Sequence, residues 1–272
     1  MMTKQGIKII ILFILVTIVS YIGWHMYEGL QAHKQYYNEN IYDYIPAQAC
    51  EVFHINRKYS LHDLSVYDSV PFHLVKIIDN QLHLPVIITK NSDNKHLLLM
   101  RTGREQAENI FQYIQQNIAL HYPPRIKKYK DAEIEIYSLR NDEFLTCTFY
   151  KGLFFMSYNY KLVIDAIDTK PTTSFFLQTD NMQKVNDMLR KAPLSIFIKL
   201  EENKLALEYR KLNDIIMMDG YILDKQNTDS MKIEKALTMY LSTIPDSICI
   251  ESYRVYPKNN LMAVKIILNK IY

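Results

Sequence analysis

The chain of 272 residues carries a formal charge of +3, and 49% of its residues are apolar. This length leaves room for one large or two small domains, which can bury a core without disulfides or metals. The small net charge argues against nucleic acid as a partner.

The first element is an apolar run that begins at Ile9 and ends at Trp24. About eleven Ile, Leu, Val and Phe side chains, each worth roughly −0.3 to −0.6 kcal/mol, favour insertion into a bilayer. Counting on to Met26 gives about 18 residues, the lower end of a membrane span. The interpretation is a transmembrane helix over residues 9–26, with the membrane as a partner through the stretch from Ile9 to Trp24.

Lys4 and Lys8 precede this run, and Lys34 is the first fixed positive charge after it. This bias predicts a cytoplasmic N-terminus over residues 1–8 and a body in the periplasm, anchored as a single-pass inner-membrane protein. Two alternatives remain open. A cleaved signal peptide would end in a small-x-small site, which the run lacks, and a buried core helix would need a polar face.

Residues 27–44 are polar and aromatic and are interpreted as a stalk. After Pro46, residues 50–56 alternate as a first strand, and residues 60–69 and 71–79 follow as two short helices. Residues 85–89 and 96–100 flank an Asn-Ser-Asp-Asn turn and predict a hairpin.

A capping-box pattern at Thr102-Gly103-Arg104-Glu105 predicts the start of an amphipathic helix that ends before Pro123. Strands follow at residues 133–137, 144–150 and 153–157, then a helix at 160–168. The segment from Lys170 to Ser174 is the best linker.

The remaining chain repeats this order of elements. Helices are predicted at residues 181–191 and 230–241, and strands at 194–200, 205–212, 215–223, 248–255 and 262–268. The fold class is α+β: an N-terminal transmembrane helix, then a mostly antiparallel, sheet-rich domain with helices packed on it. Two similar lobes, residues 45–170 and 175–272, are the domain division that this order favours, although one continuous sheet remains open.

No catalytic constellation stands out, so the catalytic residues stay unknown and no cofactor or metal site is predicted. Glycine-rich phosphate loops are absent from the sequence. The eight histidines, all before Tyr122, form no chelating motif. They are His25, His33, His54, His62, His73, His83, His96 and His121.

Other candidate groups have ordinary explanations beside the functional one. Asp214, Asp219 and the pair Glu201-Glu202 lie near turns, where solvated acids are common. Cys50 and His54 could share a strand face as a reactive pair, but a core thiol beside an edge histidine explains them equally well.

The cysteines and tyrosines leave two further questions. Cys50, Cys147 and Cys249 lie about a hundred residues apart in strand-like runs, so buried free thiols are favoured over one disulfide. Tyrosine is frequent in the strands and could form a protein-binding face, although sheet packing is the simpler account. These tyrosines are Tyr137, Tyr150, Tyr158, Tyr160, Tyr209, Tyr221, Tyr253 and Tyr256.

Three stretches resemble an uncharacterised family of single-pass, membrane-anchored Bacteroidetes envelope proteins. Tyr44-Ile45-Pro46-Ala47-Gln48-Ala49 resembles the family's IPADA-like opening after the anchor, with Gln48 where Asp is usual. The other two are the strand and helix running from Lys151 to Ile167, and Met218-Asp219-Gly220-Tyr221. The resemblance implies an anchored, outward-facing domain and supplies no catalytic residues.

Together these observations predict a binding or assembly protein of the cell envelope with an envelope protein as its partner. The assignment leans away from an enzyme. The alternative is an envelope hydrolase whose site is assembled from distant residues. A concave pocket with converging polar groups and perturbed pKa values would favour that alternative.

Overall fold

The computed structural model describes residues 4–37, 39–58, 69–119, 122–176, 185, 191–200, 203–223, 230–242, 244, 248–258 and 261–270. The chain divides into two compact units, Met1–Glu39 and Asn40–Tyr272. The second unit is called the body below.

The first unit contains one helix, α1, over Lys4–Tyr37. Among the described residues, no helix is long and apolar enough to cross a membrane, so the predicted transmembrane helix is wrong. The largely apolar run from Ile9 to Trp24 is 16 residues long and contains Thr17 and Ser20, whereas a span needs about 20. Helix α1 continues through most of the segment predicted to be a stalk.

The body contains twelve strands in its described residues. They are β1 (Ala49–Ile55), β2 (Val86–Asn91), β3 (His96–Arg101), β4 (Arg125–Tyr129), β5 (Ala132–Ser138), β6 (Phe144–Tyr150), β7 (Leu153–Ser157), β8 (Leu194–Leu200), β9 (Asn203–Leu212), β10 (Ile215–Ile222), β11 (Ile248–Lys258) and β12 (Leu261–Lys270). Four helices accompany them: α2 (Ser69–Ile77), α3 (Arg104–Asn117), α4 (Tyr160–Asp168) and α5 (Ser230–Leu241).

All twelve strands lie in one antiparallel sheet, in the order β11-β12-β10-β9-β8-β1-β2-β3-β7-β6-β5-β4. Strand β1 sits inside it, paired with β2 on one side and with β8 on the other. The strands predicted for two lobes are therefore joined in one continuous sheet, and the sheet-rich α+β assignment of the body is confirmed.

Two apolar cores lie on opposite faces of this sheet. The first face packs against α2, α3 and α5, and its core takes side chains from strands across the whole width, from Tyr137 on β5 to Ile248 on β11. The second face packs against α4, the 3-10 helix Ile41–Tyr44, and Phe175 and Phe176. Every strand between the two edge strands, β4 and β11, therefore contributes side chains to the first core.

Local chemistry explains the tight connections between neighbouring strands. Lys130, Lys151 and Asn213 have φ values of 51°, 51° and 56°, in the left-handed region, and Gly152 has 76°. Such residues close two-residue hairpins whose twist matches that of the flanking strands. These turns connect β4 to β5, β6 to β7 and β9 to β10.

Two local predictions need correction. The N-cap of α3 is Gly103, not Thr102, because the Gly103 amide donates to Gln106 Oε1 at 2.7 Å. Ile41 and Tyr44, predicted to end the stalk, are buried in the second core. The helix predicted at 60–69 lies almost wholly outside the described residues, as does most of the one at 181–191.

Candidate binding face

The second core ends before the sheet does. Its strand residues reach Phe197 on β8 and Ala206 on β9, and none comes from β10, β11 or β12. Within the body, none of the described helices contributes to a core on the second face of these last three strands. We call the second face of β9, β10, β12 and β11, beyond Ala206, the open face.

Burial alternates strictly along the strands that form it. In β10, Ile216 and Met218 are buried in the first core, whereas Ile215, Met217, Asp219 and Tyr221 point to the open face and are exposed or half-buried. Period-two alternation of this kind is typical of a sheet with one solvated face.

The open face carries apolar and aromatic side chains around a charged centre. Strand register places its members side by side. They are Glu208, Arg210 and Leu212 on β9; Ile215, Met217, Asp219 and Tyr221 on β10; Lys265 and Ile267 on β12; and Ser252, Arg254 and Tyr256 on β11.

A line of polar residues crosses the second face at one register level. It pairs His54 with Ser195, Ser195 with Glu208, Glu208 with Asp219, Asp219 with Lys265, and Lys265 with Arg254. We call these six residues the polar row. Directly paired side chains in antiparallel strands stand about 5 Å apart, so each member faces the next.

The inner end of the polar row is buried. His54 Nε2 lies 3.0 Å from the Tyr42 hydroxyl, and the Tyr42 ring packs edge-on against Phe176. Burial lowers the pKa of His54 to about 4 and raises the pKa of Tyr42 to about 12. Because its pKa is about 4, the imidazole is neutral at pH 7. Among the described residues, neither His54 Nδ1 nor Ser195 Oγ, which are both buried, has a hydrogen-bond partner.

The outer end of the polar row is exposed and charged. Arg210 donates two hydrogen bonds of 2.9 Å to Glu208, from Nε to Oε1 and from Nη2 to Oε2. These bonds raise the pKa of Arg210. Two acids on β9 and β10 are thus followed by two bases, Lys265 and Arg254, on β12 and β11.

Both edges of the sheet are poor templates for a further strand. β11 has an irregular register between Ile250 and Ser252 and contains Pro257, which has no N–H. β4 presents Arg125, Lys127 and Lys128. Bulges, proline and lysine are the devices that keep edge strands from pairing with other chains, which favours the open face over the edges as a contact surface.

A cavity of about 240 Å³ lies on the first face, between α3 and β5. Its walls include Phe111, Gln112, Gln115 and Gln116 from α3, with Pro124, Glu135 and Tyr137. The Tyr137 hydroxyl donates a hydrogen bond to Glu135. Burial raises the pKa of Glu135, although this hydrogen bond partly opposes the shift.

The structure does not bring together the cysteine and histidine side chains that the sequence suggested as a reactive pair. Cys50 Sγ lies 3.9 Å from the Gln48 carbonyl oxygen, whereas His54 bonds Tyr42, so the proposed Cys50–His54 pair does not form. All three cysteines are free thiols: Cys50 is half-buried, Cys147 buried and Cys249 exposed. Burial raises the pKa of Cys147 well above its usual range, which is unlike an activated nucleophile.

The histidines are similarly scattered. His54 and His96 are buried in the sheet, whereas His25, His73 and His83 are exposed. His62, His121 and the Glu201-Glu202 pair lie outside the described residues, and His33 lies in α1. Within the described ranges, no three His, Cys, Asp or Glu side chains are grouped in a way that could hold a metal ion.

The tyrosines divide between core and surface. Tyr137 and Tyr209 are buried, whereas Tyr221 and Tyr256 lie on the open face together with Asp219. Tyr253 lies on the first face, where its hydroxyl is 3.1 Å from Thr238 Oγ1 of α5. No sequence signal marked the open face, because Ile215-Ile216-Met217-Met218 reads as a continuous apolar run.

Comparisons with known proteins give little further information. No family model matches the chain, and the curated proteins searched include no significant match. Two solved structures of TP0453 are similar to it. Crystal form I has a TM-score of 0.47 at 6% identity, covering 84% of this chain and 92% of that one. Crystal form III has 0.43 at 8% identity, covering 85% and 95%.

Proposed function

We propose that this protein is a binding or assembly protein of the cell envelope whose open face packs against another envelope protein. The observation that carries the proposal is the end of the second core at β9, three strands before the sheet ends. The sequence resemblance to envelope proteins supports a location on the periplasmic side of the inner membrane.

The composition of the open face fits protein recognition. Tyrosine, methionine and arginine are enriched at protein interfaces, and tyrosine and arginine supply many of the residues that dominate binding energy. Tyr221, Tyr256, Met217 and Arg254 are all on this face. The order of charges along the polar row, acids then bases, requires a partner with the opposite order.

The area of the open face bounds the strength of the complex. Four strands about 4.8 Å apart and about eight residues long, at 3.3 Å per residue, cover on the order of 500 Å². That is about 1,000 Å² when both partners are counted, the lower limit of a specific interface. The complex is therefore expected to be of modest affinity unless flanking loops add contacts.

Photo-crosslinking in cells tests the proposal. A photoreactive amino acid replaces Tyr256, which is 38% exposed, and in a matched control replaces Tyr158, which is 41% exposed and lies away from the open face. The expected result is a discrete envelope-protein adduct from position 256 only. The proposal fails if position 256 yields no adduct, or the same adducts as position 158.

A double neutralisation, Lys265→Gln with Arg254→Gln, sharpens the test. It should weaken the adduct while changing the unfolding temperature little, because exposed ion pairs contribute only about 0–1 kcal/mol to stability.

Location has its own test. A membrane-impermeant maleimide should label the exposed Cys249 in intact cells, and the Cys249→Ser variant should not be labelled. Labelling only after lysis would refute the periplasmic location.

A further inference from the structure

The charges of the polar row are arranged symmetrically about the middle of the open face. The four strands of this face lie in the order β9-β10-β12-β11, so its middle is the boundary between β10 and β12. Two acids, Glu208 and Asp219, lie on one side of this boundary, and two bases, Lys265 and Arg254, lie on the other. Each acid therefore has a base as its counterpart at the same distance from the boundary.

The two residues beside the boundary keep their charges available to a partner. Among the described residues, neither Asp219 nor Lys265 takes part in an ion pair, although the register places them next to each other. Glu208, at the outer position, is already bound by Arg210. Asp219 and Lys265 are therefore the charges that a second molecule would meet first.

The residues above and below this central pair are matched in size. Tyr221 on β10 pairs with Ala263 on β12, and Met217 on β10 pairs with Ile267 on β12. A surface that placed β12 over β10 would set alanine against Tyr221 and isoleucine against Met217. Large side chains would then meet small or flexible apolar ones, which allows two sheets to pack closely.

We propose that the partner of the open face is a second copy of this chain, related by a two-fold axis that lies in the interface and runs along the boundary between β10 and β12. This inference rests on the proposed function and names its partner. A half-turn about that axis places β10 of one copy over β12 of the other, and β9 over β11. Asp219 then faces Lys265 of the second copy, and Lys265 faces its Asp219, as the self-complementary contacts of a two-fold dimer require.

The charges favour this axis over the other axis that would bring the two open faces together. An axis along the polar row would place each strand over its own copy, so that Asp219 would face Asp219 and Lys265 would face Lys265. Like charges placed against each other oppose association. Packed sheets usually cross at about 30°, which leaves the pair nearest to the axis best aligned and makes Asp219 and Lys265 the residues to test.

Photo-crosslinking between two tagged copies tests the proposal in cells. Both copies are full-length and carry different tags, and one of them also carries the photoreactive amino acid in place of Tyr256. The expected adduct contains both tags and has twice the mass of the 32.2 kDa chain. Because β11 lies over β9 of the second copy in this arrangement, the crosslink should map to β9.

Reciprocal charge substitution then tests the axis itself. Asp219→Lys in both copies sets lysine against lysine at both central contacts and should reduce the adduct by at least about tenfold, and Lys265→Asp in both copies should do the same. One copy with Asp219→Lys and the other with Lys265→Asp again have opposite charges at both contacts. In this mixed pair the adduct should return to within about threefold of the wild-type amount.

Two further variants separate association from folding. The double variant Asp219→Lys with Lys265→Asp exchanges the charges within one chain, so it should crosslink to itself and not to wild type. Lys235→Asp is the matched control, because Lys235 is an exposed lysine on α5, which packs on the first face. This control should leave the adduct unchanged.

Three results would overturn the proposal. An adduct between copies that neither single substitution reduces, or that the mixed pair does not restore, would exclude this two-fold arrangement. A discrete adduct with a different envelope protein, and none with the second copy, would exclude self-association and leave the proposed function intact. The absence of any adduct from position 256 would refute both.

Discussion

The two halves of the sheet differ in how many of their faces are covered. In the half formed by β1, β2, β3 and β7, apolar side chains on both faces are buried, beneath α2 and α3 on one side and α4 on the other. In the half formed by β9, β10, β12 and β11, the first face is buried and the second is solvated. One continuous core is thus enough to hold the sheet together, and the second face of the latter half is free to serve another purpose.

The sharpest test of this difference compares two aromatic truncations. Phe155→Ala removes a fully buried side chain from the second core and should lower the free energy of unfolding by about 3–5 kcal/mol. Tyr256→Ala on the open face should cost less than about 1 kcal/mol. Urea denaturation measures both, and similar costs at the two positions would contradict the division into covered and open halves.

A second test concerns the buried end of the polar row. The folded-state pKa of His54, about 4, is below the ordinary 6.5, so the unfolded chain binds the proton first as pH falls. The stability that a neutral His54 provides is present above pH 6.5 and is lost as the pH falls to about 4. The full loss is about 3 kcal/mol.

Denaturation curves at pH 7 and pH 5 measure the first part of this loss, about 2 kcal/mol. His54→Gln should remove most of the wild-type change between the two pH values, whatever its own cost at pH 7. An equally large change in this variant would show that other groups cause it.

The third test concerns the buried first face of β9 and β10, on the side of the sheet opposite the open face. A Cβ at Gly220 would lie 1.8 Å from the Ala206 carbonyl oxygen on β9, so β9 and β10 would have to separate. Gly220→Ala should therefore cost about 1–3 kcal/mol. Gly23 in α1 is the control, because a Cβ there meets nothing within 4 Å. Calorimetry that shows Gly220→Ala to be neutral would refute the close contact.

The smallest expected effect is a charge placed on the open face. Met217→Lys should change the unfolding free energy by no more than about 0.5 kcal/mol, because surface substitutions rarely do more. The same change should weaken partner crosslinking from position 256. A loss of stability above about 2 kcal/mol would show that this face is covered within the folded protein.

Sequence periodicity was enough to find most strands and helices of the body. The alternation in residues 133–137 reflects one buried face, and the apolar stripe of Ala107, Ile110 and Ile114 reflects burial against the sheet. The helix at 160–168 was located to the residue, because Asn159 caps it and its apolar positions recur at helical spacing. These signals are local in the chain.

The rest could not be predicted because it depends on contacts between distant segments. Nothing near Glu51 indicates that it pairs with Ile198 on β8, so the sequence left one continuous sheet and two lobes as open alternatives. The polar row brings together six strands, and Glu135 looks like any exposed strand acid until α3 is placed over it. The membrane span was overestimated because an apolar run was extended into its polar flanks.

The position of β1 also has a kinetic consequence. Most strand pairs in the sheet are between near neighbours in the chain, and their loops close at small entropic cost. Among the described strands, the β1–β8 pair is the single direct pairing between the first seven strands and the last five, and it connects residues that are far apart in sequence. Long-range pairing slows folding, so the formation of this central seam, after both flanking sets of hairpins, is expected to limit the rate at which the body folds.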